Sequence, residues 1–319
     1  MNKLPIAALL PIYNCRERLE SHLRSVVTWA DEVQEIIVVD SGSSDGTFEL
    51  AQDILSPYHA KFLIHPPGLY QSWNAGIAAA TSPWCYISTV EDPIDSYGLI
   101  HLLETVIAHK ADLVISPPEM MNHDGSSPVD QKMPSNRLAE SLRKCGIQDR
   151  RLHRSEAIAM LCGFLPHGLL GSSASNLYKT SFLQKHPFPT DFRHCGDTAW
   201  GIQISPVADI AFTTRTCAKF YCQTQFTAVN PQQQLSLHKK LAELVRQSLH
   251  DRLHEAPEVA VMSGWFESYD HSLITLLDWL VREQVYQEEL NSMKEKYEGG
   301  ILKYLCRALQ DEYMKLLRK

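Results

Sequence analysis

The stretch Ile36–Thr47, I-I-V-V-D-S-G-S-S-D-G-T, constrains the fold of this chain more than any other. Four β-branched apolar residues in succession, Ile36 to Val39, make a strand buried on both faces, as in a parallel sheet. The run stops at Asp40, and the Ser-, Gly- and Asp-containing loop after it cannot continue a strand. A helical pattern then opens near Thr47, with Asp45 or Thr47 as candidate N-cap and Glu49 in the first turn. In open α/β sheets, ligands bind just beyond the carboxyl ends of the strands. Asp40 is therefore a carboxylate where a ligand would sit; the alternative is a solvated turn acid.

The flanking segments extend this into a βαβ unit. Ile6–Leu10 is an apolar strand ending in Pro11-Ile12-Tyr13-Asn14. Arg16–Ala30 follows as an amphipathic helix, with Leu19, Leu23, Val26, Val27 and Ala30 on one face and Asn14 as its expected cap. A dinucleotide or methyltransferase fold would need three closely spaced glycines at the strand end, and only Gly42 and Gly46 are present. Further along, Leu69–Ala80 reads as a helix carrying S-W-N-A-G-I. Gly76 in its middle costs about 1 kcal/mol relative to alanine, which points to close approach of a neighbour. Strand Trp84–Ser88 ends in T-V-E-D-P-I-D, and an amphipathic helix, Tyr97–His109, comes next.

P-I-Y-N at 11–14, the strand ending in Asp40, S-W-N-A-G-I at 72–77 and the acidic pair Glu91-Asp92 together cover the first third of the chain. In them the sequence resembles the family 2 glycosyltransferases of GT-A fold. The resemblance implies a mostly parallel central sheet flanked by helices, and transfer of a sugar from a nucleotide-diphosphate donor of UDP or GDP type to a glycan or lipid-linked acceptor, with inversion. It implies a donor site made of Pro11, Tyr13, Asn14, Asp40, Ser41, Gly42, Asn74 and Gly76. For Tyr13, Asn74 and Gly76, loop filling or plain packing are the competing readings. Glu91-Asp92 stands where the family carries its D-x-D signature. There Mg²⁺ or Mn²⁺ neutralises the charge that develops on the departing diphosphate. If Glu91 aligns with the first acid, Pro93 occupies the last, so the usual form is absent; Asp92 is the expected principal ligand, with Glu91 assisting, and a site without metal is the alternative.

Downstream, D-F-R-H-C-G-D-T-A-W-G at 191–201 resembles the family's acceptor-side motif, with Gly196-Asp197 where Glu-Asp is usual. Asp197 is the expected general base, against a bare N-cap. Trp200 offers a sugar-stacking face or fills the core, and His167, in the Gly/Ser loop that precedes Ala174–Tyr178, is also placed on the acceptor side. Residues 119–155 read as a long polar loop, with a basic cluster at Arg143, Lys144, Arg150, Arg151 and Arg154 that reads as a solvated face rather than a phosphate site. Leucine stripes beyond Pro231 make residues 229–319 a helical extension to a catalytic domain at 1–228, packed on it or pairing with a partner or second copy.

Composition narrows the class. The net charge of −7 argues against a nucleic-acid partner. Eight scattered cysteines without a C-x-x-C pair argue against a zinc site. With no signal-peptide pattern at Met1 and no long apolar run, the expected setting is the cytoplasm, with peripheral contact to the inner membrane face left open by a weakly basic tail. The rival from another class is a non-catalytic nucleotide-sugar or glycan-binding protein on the same fold.

Overall fold

A computed structural model describes residues 3–222, apart from 123, 125, 128–132, 145, 153 and 163–167, together with scattered residues between 236 and 248. The elements in chain order are β1 (Leu4–Ile12), α1 (Arg16–Val26), β2 (Val33–Asp40), α2 (Thr47–Leu55), β3 (Lys61–Ile64), α3 (Leu69–Ala79), β4 (Trp84–Ile87), α4 (Ser96–Ala108) and β5 (Leu113–Ile115). They continue with β6 (Glu119–Met121), α5 (Pro134–Lys144), β7 (Asp149–Arg151), α6 (Arg154–Cys162), β8 (Asn176–Lys179), α7 (Thr180–Lys185), α8 (Gly196–Ile204), β9 (Ile210–Thr213) and β10 (Lys219–Tyr221).

The β-branched run at 36–39 lies in β2, one strand in from the edge of an eight-stranded sheet ordered β3-β2-β1-β4-β8-β5-β9-β7. β1, β2, β3 and β4 run parallel, as does β5 beside β9, whereas β8 is antiparallel to both its neighbours and β7 to β9. Both faces are covered. One apolar layer joins the sheet to α1, α2 and α4 through residues such as Leu19, Leu23, Leu99 and Val106. The other joins it to α3, α5, α6, α7 and α8 through Trp73, Ile77, Leu142, Leu161 and Trp200. Burial on both sides is why Ile37, Val38 and Val39 need no polar alternation. A separate two-stranded parallel ribbon pairs β6 with β10.

The stretch 119–155 is not the long loop its polarity predicts. α5 begins at Pro134, whose fixed φ suits the first turn, and buries Leu138, Ala139 and Leu142. The apolar stripe is narrow, and the polar side chains beside it, Asn136, Arg137 and Glu140, are half-buried rather than solvated. The basic cluster is partly spent on structure: Arg143 donates to the Thr214 carbonyl, and Arg151 and Arg154 pair with Asp209.

Candidate active site

The carboxyl ends of β1 and β2 lie level, with Ile12 paired to Asp40 and Pro11 to Val39. Asp40 is buried rather than a solvated turn acid. Its Oδ2 accepts the N–H groups of Gly42 and Ser43, both at 2.9 Å, and its Oδ1 accepts the Ser43 hydroxyl at 2.5 Å. The carboxylate thus folds its own loop, helped by Gly42 in the left-handed region at φ 78°. The Ser41 hydroxyl meets that of Ser72 at 2.5 Å, tying the loop to α3.

Asn14 does not cap α1. At φ 42° it donates its N–H to the Ser43 hydroxyl and accepts from the Ser44 N–H, both at 2.9 Å, joining the loop after β1 to the loop after β2. Nor does Asp45 stand at the N-cap of α2, which is Gly46 at φ 84°. Instead the Asp45 carboxylate accepts from the Thr47 N–H (3.0 Å) and hydroxyl (2.6 Å) and from the Arg16 N–H (3.2 Å). An Asx side chain bonding two residues ahead explains the choice. Beside this double loop, Tyr13 is 51% exposed and presents a free aromatic surface.

On α3, a Cβ at Gly76 would lie 2.1 Å from Leu9 Cδ1 and 3.0 Å from Val39 Cγ2, so the glycine lets the helix lie directly on β1 and β2. The Asn74 amide clasps the backbone of Phe188, donating to its carbonyl at 2.8 Å and accepting its N–H at 2.9 Å.

The two acids after β4 part company. Glu91, in the left-handed region at φ 79°, pairs with Arg18 of α1 at 2.7 Å. Both line a cavity of about 720 Å³ between α1, the loop after β4 and the β6–β10 ribbon. Asp92 is buried and accepts from the Thr89 hydroxyl (2.7 Å), the Ser172 hydroxyl (3.3 Å) and the Tyr221 N–H (3.4 Å). Burial pushes its carboxyl up to about 7 against those hydrogen bonds. Two carboxylates so engaged do not fit a preformed cation site, and among the described residues no cluster of three or more His, Cys, Asp or Glu side chains gathers.

Asp197 sits in the first turn of α8. It keeps part of its surface while its carboxyl is enclosed, and burial raises its pKa, opposed by the Thr198 N–H (2.7 Å), the Tyr70 hydroxyl and the nearby His194. Segment 168–172 runs from this acid to the other: a Cβ at Gly168 would lie 3.6 Å from Thr198, and Ser172 holds Asp92. The stacking face expected of Trp200 is not presented. The indole is fully buried, stacked on Phe188 at 4.7 Å between centroids, with its N–H on the His186 carbonyl at 2.6 Å. The ring faces inward from α8 and fills the core, with its one polar group satisfied by a backbone carbonyl. His167 and most of 229–319 lie outside the described residues.

Sequence reasoning passed over Tyr70, Arg18 and Ser172. Tyr70 carried a usable signal, since it precedes Asn74 by four residues on one helical face. Ser172 carried none, because only the pairing of β8 with β4 brings its segment to Asp92.

The sequence model of glycosyl transferase family 2 matches residues 8–163. Over 114 residues the chain is 27% identical to the lipopolysaccharide core biosynthesis glycosyltransferase LpsC of Rhizobium meliloti (strain 1021), covering 35% of this chain and 40% of that protein. Over 118 residues it is 25% identical to the cholesterol galactosyltransferase of Borreliella burgdorferi, covering 36% and 33%. The chain thus spans well under half the length of these curated relatives. Its fold is similar to that of S. aureus TarS 1–349 crystallised with UDP-GlcNAc, with a TM-score of 0.61, 14% identity, and 87% of this chain and 80% of that one covered.

Proposed function

The chain belongs to glycosyl transferase family 2, with the GT-A fold, and from that premise we infer that it transfers a sugar from a nucleotide-diphosphate donor to the hydroxyl of a glycan or lipid-linked acceptor. The observation that carries this reading is Asp197. It is an enclosed carboxyl in the first turn of a helix, linked through segment 168–172 to the loop after β4.

The donor nucleoside would lie over the joined loops after β1 and β2, with Tyr13 offering a ring face and Asp40 the one Oδ1 lone pair its own loop leaves free. UDP is the nucleotide that the similar TarS structure holds, and it is the first donor class to try. Asp197 accepts the acceptor hydroxyl's proton. The freed oxygen forms the new bond to the anomeric carbon as the bond to the diphosphate breaks, and the diphosphate departs with the electron pair. Attack opposite the leaving group gives the inversion that the family resemblance implies. Because Glu91 is paired with Arg18 and Asp92 faces inward, a divalent ion would need the loop after β4 to rearrange.

Asp197→Asn tests the reading. Thermal shift against UDP-, GDP- and dTDP-sugars reads donor binding, and release of free nucleotide in the presence of acceptor glycans reads turnover. The expected outcome is unchanged donor binding with turnover down about 10²–10⁴-fold, the usual cost of losing a general base. Turnover near the wild-type rate would remove Asp197 from the chemistry.

A further inference from the structure

We propose that the cavity between α1, the loop after β4 and the β6–β10 ribbon is a binding site for a neutral oligosaccharide, separate from the donor loops and from Asp197. The choice of a glycan rests on the reading of the chain as a sugar transferase; the site itself rests on geometry. The cavity holds about 720 Å³, within the range of clefts that enclose small ligands. None of its lining residues comes from the loops after β1 and β2, from α3 or from α8.

Its walls are built without a ligand. The Pro93 carbonyl accepts the Lys219 N–H at 3.0 Å, and Ile94 forms an antiparallel bridge to Ala218. The Ile94 carbonyl accepts from the Trp29 indole at 3.1 Å and from the Ser25 hydroxyl at 3.4 Å, tying the loop after β4 to α1 and the turn beyond it. The N–H of Tyr221, which lines the cavity, donates to Asp92, as does the Ser172 hydroxyl. One wall of the cavity therefore meets the segment that leads to Asp197.

The lining selects the chemistry of the ligand. Two cationic side chains, Arg18 and Lys219, and three carboxylates, Glu91, Asp95 and Glu119, border the same space. His22, pushed down to about 4 by burial, adds no charge near neutral pH. Carboxylates in excess oppose a phosphate or diphosphate, and among the described residues no His, Cys, Asp or Glu side chains cluster as a metal ion needs. Donors and acceptors side by side suit sugar hydroxyls, each of which both donates and accepts. Arg18 commits one N–H to Glu91 and Asp95 one oxygen to the Gly98 N–H, both at 2.7 Å, so both keep capacity for a ligand. Lys219 and Glu119 meet no side-chain partner among the described residues. A peptide strand would need a free sheet edge, and the edge of β10 away from β6 is taken at Lys219 by Pro93 and at Tyr221 by Asp92.

The test is saturation-transfer NMR on the full chain with maltotriose, cellotriose and triacetylchitotriose, in the absence of nucleotide. Transfer to at least one trisaccharide is expected. Ser21→Trp, which fills the cavity from an exposed position of α1, should abolish it. Lys219→Ala and Glu119→Ala, also exposed, should each weaken binding about tenfold, the cost of one hydrogen bond to a charged group. The thermal shift given by UDP-GlcNAc should be unchanged in all three, so donor binding is read apart from the cavity. No transfer to any of the three sugars overturns the proposal. So does transfer that survives Ser21→Trp, or, should that variant fail to fold, transfer unmoved in both alanine variants. Displacement of the sugar by inorganic pyrophosphate would make the cavity an anion site and overturns it too. Mass spectrometry after incubation with UDP-GlcNAc separates the two sources of glycan: a lengthened trisaccharide is the acceptor itself, and an unchanged one is a chain held beside the reaction. Trisaccharide binding without a thermal shift from any nucleotide sugar defeats the transferase reading and leaves the site standing.

Discussion

Single residues in this site are defined by what already occupies them. Asp40 and Asp45 spend their oxygens on backbone and hydroxyl donors of their own loops, so their first effect is to shape the ligand edge. Glu91 is different, since its partner is the half-exposed Arg18 side chain. Exposed ion pairs are worth about 0.2–1 kcal/mol, so this one is a weak latch. Arg18→Gln should free the carboxylate and tighten Mn²⁺ binding to the donor-free protein by up to about fivefold, as read by calorimetric titration. An unchanged affinity would mean that Glu91 takes no part in holding a cation.

At the scale of elements, α3 is the hinge of the arrangement: it lies on β1 and β2 through Gly76 and carries Tyr70, Ser72 and Asn74 to three different loops. Gly76→Ala raises helix propensity, yet its Cβ would overlap Leu9 and crowd Val39. The clash outweighs the propensity gain of about 1 kcal/mol. Overpacking of this kind costs about 1–3 kcal/mol, and urea unfolding should show a lower midpoint with donor binding weakened alongside it, because the Asp40 loop is tied to the same helix through Ser72. A neutral or stabilising alanine would show that α3 can lift off the sheet freely.

At the scale of the whole molecule, a few of the described residues lie beyond the boundary expected at residue 228. Beyond it, Leu237, Leu241 and Val245 are buried, and Lys240 reaches back to Asp191 and lies 4.5 Å from the Phe192 ring centroid, a few residues before Asp197. Leu241→Ala should therefore cost about 2–5 kcal/mol, as for other fully buried leucines, seen as a single lowered melting transition. Two separate transitions, with the main one unmoved, would instead make the segment after 228 an independent unit. Among the described residues no helix is long and apolar enough to cross a membrane.

Periodicity and strand-end chemistry were enough for the sequence to determine the alternating β1–α4 half of the sheet and the position of Asp40 on its carboxyl edge. Those signals are local, set by burial on both faces of a strand or on one face of a helix. The same local reading mistook 119–155 for a loop, because α5 buries only a narrow stripe of Leu138, Ala139 and Leu142. It also left Trp200 open between a sugar-stacking face and the core, because side-chain direction on a short helix depends on what packs against it. The site's state was decided by contacts distant in sequence. The contact of Arg18 with Glu91 spans 73 residues, that of Ser172 with Asp92 spans 80, and that of Tyr70 with the His194 carbonyl spans 124. No window of sequence contains such pairs; they exist only once β4 lies beside β1 and β8 and the two helical layers close over the sheet.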